Sequence, residues 1–535
     1  MRRWVRSTVL PLVSVVALVG APGTTFGTAT LSSALVRSVP KVPLHTEGIP
    51  GEPSPAVLVR VVHARRLPRP IAHPPYIPEP TETQPVTGPP RTTGVVALRT
   101  RKEFRIAVAP GAANRVGTSG PRLPAFTEAS SVPGLGDRGI PPDTQLAVGP
   151  KYVVEFVNTS GEVFTHSGTS VLTFDLGSLF SGVPGQGGDP KIVYDAGSGR
   201  FFASYISSFV RPDGASEVDL AVTNNPTGTW DVYDVHNEGV LQDQPKLGVS
   251  SDKITMAWND NGNSGPEEIK VIQKAALVAD ASSAPGVIWG PYSSRLNVVP
   301  AVQLSQSTTA YAVYHNYNSS SVGLLSFTGV PGISTTTFTE TDMSVASTSS
   351  PPAAVQPAPP RGTSPTLDTG DDRLESAAWE SGDLWAAGND VCQYQTDKAA
   401  RACLRVIHIS TSQMSVIQDV DITMVGGDVM YPAVTLDARK DLWIAFSSSS
   451  TTQFASSEVA EAPGEKIGAS IGAIIYHIGS GAINYSSCTT PPATRFGDYS
   501  GIAVDPAIGD NGIWAATEFG VAGCGSGTEL GSFAP

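Results

Sequence analysis

The feature that most limits what this chain can fold into is a hairpin written seven times. Each copy carries a polar residue, often followed by proline, then a short apolar run, a tight turn, and a second run that opens on a large apolar side chain. The copies sit near Asp143, Asp189, Asp243, Val299, Arg373, Tyr431 and Asp498, about 45 to 75 residues apart. A four-stranded blade needs roughly 40 to 50 residues, so each interval holds two further strands and a variable loop. The expectation is an all-β chain forming a single β-propeller, with seven four-stranded blades. The copy at Val299 matches least well, and six or eight blades stay open.

A second regularity runs inside the repeat. One position before the last apolar residue of each first strand stand Ala147, Val193, Gly248, Gln303, Ala378, Thr435 and Ala503. Mostly small side chains on one face suit sheets that converge toward an axis. Composition agrees. Gly 54 and Pro 45 break the chain often, and charged residues are only 16%, which disfavours helical bundles. A net charge of −13 argues against a nucleic-acid partner.

The front of the chain reads differently. Three arginines precede the apolar run Thr8 to Gly20, which is shorter than the ~20 residues a membrane span needs. Residues 1–29 read as a signal peptide, with an uncleaved anchor as the alternative. Residues 30–102 are rich in proline and read as a disordered spacer, and 103–535 as the propeller. The spacer arginines Arg60, Arg65, Arg66 and Arg69 are either solvated or adhesive to an anionic envelope. The expected product is a secreted or cell-surface monomer with no transmembrane span in the mature chain. Residues 103–109 are a candidate ring-closing strand, and 348–370 a long surface connection. Cys392 with Cys403 and Cys488 with Cys524 form the simplest disulfide pairing.

On the stretches PPDTQLAVGPKYVVEFVN, GDPKIVYDAGSGRFF, QPKLGVSSDKITMAWND, DTGDDRLESAAWESGDLWAA and GDYSGIAVDP, the chain resembles secreted bacterial β-propeller proteins distantly related to the BNR/sialidase-like superfamily. The resemblance implies a propeller fold and export, and it implies no reaction. The sialidase Asp-box is echoed after two first strands, in the runs Leu436 to Trp443 and Val504 to Trp514. There the aspartate follows the innermost strand instead of lying at the outer hairpin.

Candidate site residues come from the residues leading into the first strands. Asp143, Asp189, Asp243, Arg373 and Asp498 share that position and would meet at one axial rim if the register holds. Three readings compete. The rim is structural, with Lys191 and Lys246 neutralising acids that accept turn N–H groups; or Asp143, Asp189, Asp243 and Asp498 bind Ca²⁺; or a sialidase-like glycoside hydrolase or lyase uses Tyr499 or Tyr431 with Arg373, Arg495 and Arg138. No other catalytic signature is present. The preferred function is a binding module for an extracellular glycan or protein at the axial face, with no certain cofactor. Trp258, Trp379, Trp385, Trp443 and Trp514 read as blade core.

Overall fold

Runs such as YVVEFV and FFASYIS place β-branched and aromatic residues between Gly, Ser and Asp turns, and they form strands. The computed structural model describes residues 44–45, 48–70, 90–101, 126–136, 141–207, 215–236, 239–262, 265–358, 366–468, 470–483, 495–521 and 525–534. The fold is an all-β propeller. Among the described residues no helix is long and apolar enough to cross a membrane.

Strand pairing falls into successive antiparallel units of four. The first is Gln145–Val148, Tyr152–Val157, Ser160–Thr165 and Ser170–Asp175, paired in chain order. The next five open on Gly188–Asp195, Gln242–Val249, Val299–Pro300 continued by Val302–Gln303, Leu374–Glu380 and Gly427–Leu436. The split in the fourth of these seven opening strands explains why that copy is the weakest in sequence. The seventh unit holds Gly501–Val504, Ile513–Gly520 and Ser526–Ala534, and takes its outer strand, Thr127–Pro133, from far upstream. Opening strands of successive units are neighbours, and Gly501–Val504 lies beside Gln145–Val148. No sheet closes on itself.

The apolar core is divided among the faces between units. Phe202, Val218 and Tyr233 of the second unit pack with Met256 and Trp258 of the third. Trp443 and Val459 of the sixth meet Ile513 and Phe533 of the seventh. Trp258, Trp385, Trp443 and Trp514 are all at most 1% exposed, as a core role requires. The aspartates of the Asp-box echo serve the same core. Asp437 accepts the Trp443 indole N–H at 3.2 Å, and Asp505 accepts that of Trp514 at 3.0 Å. Close approach between units fixes two glycines: a Cβ on Gly248 would stand 2.7 Å from the Ala301 carbonyl, and one on Gly501 2.6 Å from the Leu146 nitrogen.

Several expectations need correction. Part of the stretch 30–102, expected as a disordered spacer, is strand. Leu44–His45 and Ile49–Pro50 pair with Thr337–Ser344, Glu52–Pro53 with Gly286–Tyr292, and Ala56–His63 with Thr229–His236. Val95–Arg101 runs parallel between Ser415–Thr423 and Ser470–His477. The physical reason is that each partner is the outer strand of a unit, whose open edge seeks hydrogen bonds, and local composition carries no sign of that demand. Arg60 is not a free spacer charge, since its Nη1 donates to the Ser181 carbonyl at 2.9 Å. The connection 348–370 is not a surface loop where it is described: Ser349, Ser350 and Leu367 are buried, and Asp390 and Asp428 accept the Ser349 and Val355 amides at 2.9 and 3.0 Å. Residues 1–29, the candidate closing strand 103–109, Cys488 and Cys524 lie outside the described residues. Thr127–Pro133 is the strand that completes the seventh unit. Cys392 and Cys403 form a disulfide.

Thr127–Pro133 covers the edge of Ser526–Ala534, so its loss should expose a long unpaired strand. Deleting residues 127–133 is expected to lower the thermal midpoint and to produce higher-mass species in size-exclusion chromatography with light scattering. A deleted chain that keeps the mass and midpoint of the intact one would show that this strand closes nothing.

Candidate functional site

The opening strands begin in an unusual way. Asp143, Asp189, Gln244, Asn297, Tyr431 and Asp498 all have positive φ, between 50° and 61°. Three of them precede proline: Asp189-Pro190, Gln244-Pro245 and Tyr431-Pro432. Non-glycine residues rarely adopt this conformation, and a following proline disfavours it further. In each of the three the ladder shifts register at that point, so the strand is bulged. The bulge turns the backbone N–H away from its own sheet and toward the neighbouring unit. Asp189 N–H reaches Asn158 Oδ1 at 2.7 Å, Gln244 N–H reaches Asp189 Oδ2 at 3.1 Å, and Tyr431 N–H reaches Asn389 Oδ1 at 2.8 Å.

The remaining junctions are bridged by other means. Glu267 accepts the Asn297 and Val298 amides at 3.0 and 2.9 Å, and the Asn297 side chain donates to the Leu374 carbonyl at 2.6 Å. Ser500 Oγ donates to the Tyr431 carbonyl at 2.6 Å, and Gln145 Nε2 to the Ser500 carbonyl at 3.2 Å. A chain of lateral hydrogen bonds thus passes through every unit and returns to the first.

Inside this chain lies a buried charge centre. Asp143, Asp189, Asp243, Arg373 and Tyr499 are each at most 8% exposed, so the sequence-predicted rim is interior. Lys246 Nζ donates to Glu375 at 3.0 Å and to the Tyr499 hydroxyl at 3.2 Å. Lys191 Nζ sits 3.1 Å from the Tyr499 ring centroid. The lysines therefore engage Tyr499 and Glu375 in preference to making direct ion pairs with Asp189 and Asp243. Arg495 pairs with Asp498. Burial holds Lys191 well below the usual lysine range, and the Lys246 charge adds to this. Burial also pushes the Tyr499 phenol well above its ordinary value, with Asp189 and Glu375 adding to the shift. A phenol so held is a poor nucleophile at neutral pH.

Above the charge centre the opening strands enclose an axial cavity of about 340 Å³, lined from all seven units. Lys191, Lys246 and Glu375 lie at the end nearest the strand starts. Gln303, Ser376 and Thr435 line the wall with Val193, Val302 and Ile502. At the strand ends stand Asp195, Ser251, Gln306, Glu380 and Asp510, beside the exposed Ala196, Gly197 and Ala438. Among the described residues the lining is buried or half-buried at the strand starts and includes exposed residues at the strand ends, so the cavity meets solvent where the opening strands end. Asp195 is held by Lys274 at 2.9 Å, and Ser251 by Gln306 at 2.9 Å.

The other described sequence candidates lie off the cavity lining. Tyr431 packs with Met430, Phe496 and Leu367 in a separate core cluster. Arg373 binds Asp371 at 2.7 Å and faces the Tyr317 ring. Arg138 lies outside the described residues. Asp189 and Asp243 are joined through the Gln244 amide, which donates to both, at 3.1 and 3.0 Å. Among the described residues the four aspartates proposed for Ca²⁺ do not form a group of three with ligand atoms within 4.8 Å. Sequence reasoning placed the acids at the strand starts but put the opening at the same end. It noted Lys191 and Lys246 only as neutralising charges, it missed Glu375, and it placed Val193, Gln303 and Thr435 on the converging face without reading them as a cavity wall. The usable signal was the charged side chain inside an opening strand: Lys191 and Lys246 follow the Asp-Pro and Gln-Pro steps, and Glu375 follows Leu374.

No protein-family model matches the chain, and no curated protein matches it. Solved structures do. An α-L-arabinanase of Penicillium chrysogenum complexed with arabinobiose aligns at 10% identity and a TM-score of 0.36, covering 76% of this chain and 98% of that one. A Hadza microbial sialidase aligns at 10% identity and 0.35, covering 71% and 73%. A subtype N10 neuraminidase-like protein from influenza A of the little yellow-shouldered bat aligns at 9% and 0.34, covering 60% and 96%. These relations are distant, and the architecture stands on the strand pairing described above.

The buried acids make stability depend on pH. Burial pushes Asp243 and Asp498 up to about 7, Asp243 further through Asp189 beside it. The unfolded value is about 3.9, so the folded chain keeps protons that the unfolded chain releases. Their stabilising contribution is complete below about pH 4 and is lost as the pH climbs to about 7. The thermal midpoint is expected to fall over that window. Asp243→Asn retains Oδ1 for the Gln244 amide and should flatten the fall. Parallel profiles for the two proteins would exclude Asp243 as a source.

Proposed function

We propose that this protein is a seven-bladed propeller that works outside the cytoplasm as a binding module and takes the end of an uncharged glycan into its axial cavity. The observation that carries the reading is the cavity itself, about 340 Å³ and lined from every unit, with Lys191 at its closed end. There the Lys191 ammonium stands over the Tyr499 ring. An ammonium carries three N–H donors, which a ligand hydroxyl accepts.

The lining suits a sugar. Donors and acceptors from Lys191, Gln303, Glu375 and Thr435 alternate with Val193, Val302 and Ile502, matching the hydroxyl edges and C–H faces of a pyranose or furanose. Acids at the mouth, Asp195, Glu380 and Asp510, disfavour an anionic ligand. The raised Tyr499 phenol and its hydrogen bond from Lys246 weigh against the hydrolase alternative. The Cys392–Cys403 disulfide supports an oxidising compartment.

The test is a glycan array probed with labelled full-length protein, followed by calorimetric titration of the retained sugars. Neutral glycans should be retained. Lys191→Met and, independently, Gln303→Leu should weaken binding at least tenfold, with thermal midpoints showing that both variants fold. Retention of no glycan, or affinities unchanged in both variants, would overturn the assignment. Release of new reducing ends from a bound glycan would assign the hydrolase reading instead.

A further inference from the structure

Away from the axis, three side chains from two neighbouring units meet. His236 ends Thr229–His236, the fourth strand of the second unit. Asp260 ends Lys253–Asp260, and Glu268 is the second residue of Glu267–Gln273, both in the third unit. Glu268 stands opposite Trp258 in the ladder, so Trp258, Asp260 and Glu268 point to the same face of their sheet. That face looks toward His236, whose ring lies 5.1 Å from the Trp258 ring. The nearest ligand atoms of the three all lie within 4.8 Å of one another, and His236 Nε2 is 2.9 Å from Glu268 Oε2.

We infer that His236, Asp260 and Glu268 form a binding site for a divalent first-row transition ion of the Zn²⁺ class, which would clamp the outer strand of the second unit to the third. Two observations point to a cation beyond the proximity of the acids. The side chains are buried, at 7%, 6% and 5% exposure, where two carboxylates repel each other strongly unless a positive charge lies between them. Glu268 Oε2 is buried and faces the trio, 2.9 Å from His236 Nε2 but outside hydrogen-bond geometry with it. Lys270, two residues further along the strand, is the obvious alternative cation. Its Nζ donates instead to the Val235 and Pro55 carbonyls.

Donor chemistry selects the ion. Ligands bound at about 2.0–2.2 Å to one centre lie roughly 3 Å apart, so the trio closes around such an ion by small rotations of side chains already in contact. An imidazole nitrogen with two carboxylates suits Zn²⁺ or Mn²⁺, whereas Ca²⁺ takes six to eight oxygens. The site is distinct from the axial cavity and does not depend on what the cavity binds.

The experiment uses the full chain, stripped with EDTA and dialysed, and titrated calorimetrically with ZnCl₂. One Zn²⁺ per chain is expected, with Glu268→Gln and His236→Asn each weakening binding at least tenfold. Circular dichroism establishes that both variants fold. Co²⁺ should give a visible d–d spectrum that either substitution abolishes. No uptake by the wild type, or uptake with the same affinity and stoichiometry in both variants, would overturn the site. Displacement of Zn²⁺ by a tenfold excess of Ca²⁺ would overturn the assignment of ion class.

Discussion

The lateral hydrogen bonds at the starts of the opening strands are the constraint on which the rest depends. A four-stranded sheet pairs its inner backbone groups within itself and meets its neighbour mainly through apolar faces, which are not directional. A left-handed residue at the start of six of the seven opening strands supplies direction. It lifts one N–H out of the ladder and delivers it to a side chain of the adjacent unit, as Asp189, Gln244 and Tyr431 do toward Asn158, Asp189 and Asn389. A backbone conformation of this kind costs on the order of 1–3 kcal/mol at each position. It persists here because the apolar wedges between units hold the strands at the distance the bonds require.

Much of the architecture was legible in the chain because a propeller repeats one local instruction. The alternation in Tyr152–Val157 and Arg200–Ser207, the turns after each opening strand and the recurring tryptophans are all near-neighbour effects. What escaped is what depends on distant partners. Ala56–His63, AVLVRVVH in sequence, carries the β-branched residues of a strand, a signal hidden by the proline-rich chain around it, and its partner edge on Thr229–His236 is far downstream. The same holds for Val95–Arg101, whose two partners lie several hundred residues downstream.

The candidate site divides along the same line. Asp143, Asp189, Asp243 and Asp498 were recognised as a set because their spacing to the strands is constant. Their burial was not, because exposure at a strand end is decided by how closely the ring draws together. The choice between the two ends of the axis rests on where the cavity meets solvent, beside Gly197 and Ala438, and no local pattern encodes it. Lys191 illustrates the difficulty. In sequence it is a counter-ion to Asp189, whereas in space it stands over the Tyr499 ring.

The upstream strands have an implication for biogenesis. The segment 44–63 passes along the outer strands of the fourth, third and second units in turn, each of which is translated long after it. The first part of the domain to leave the ribosome is therefore among the last to find its place. Until Thr337–Ser344 has been made, the start of this segment has nothing to pair with.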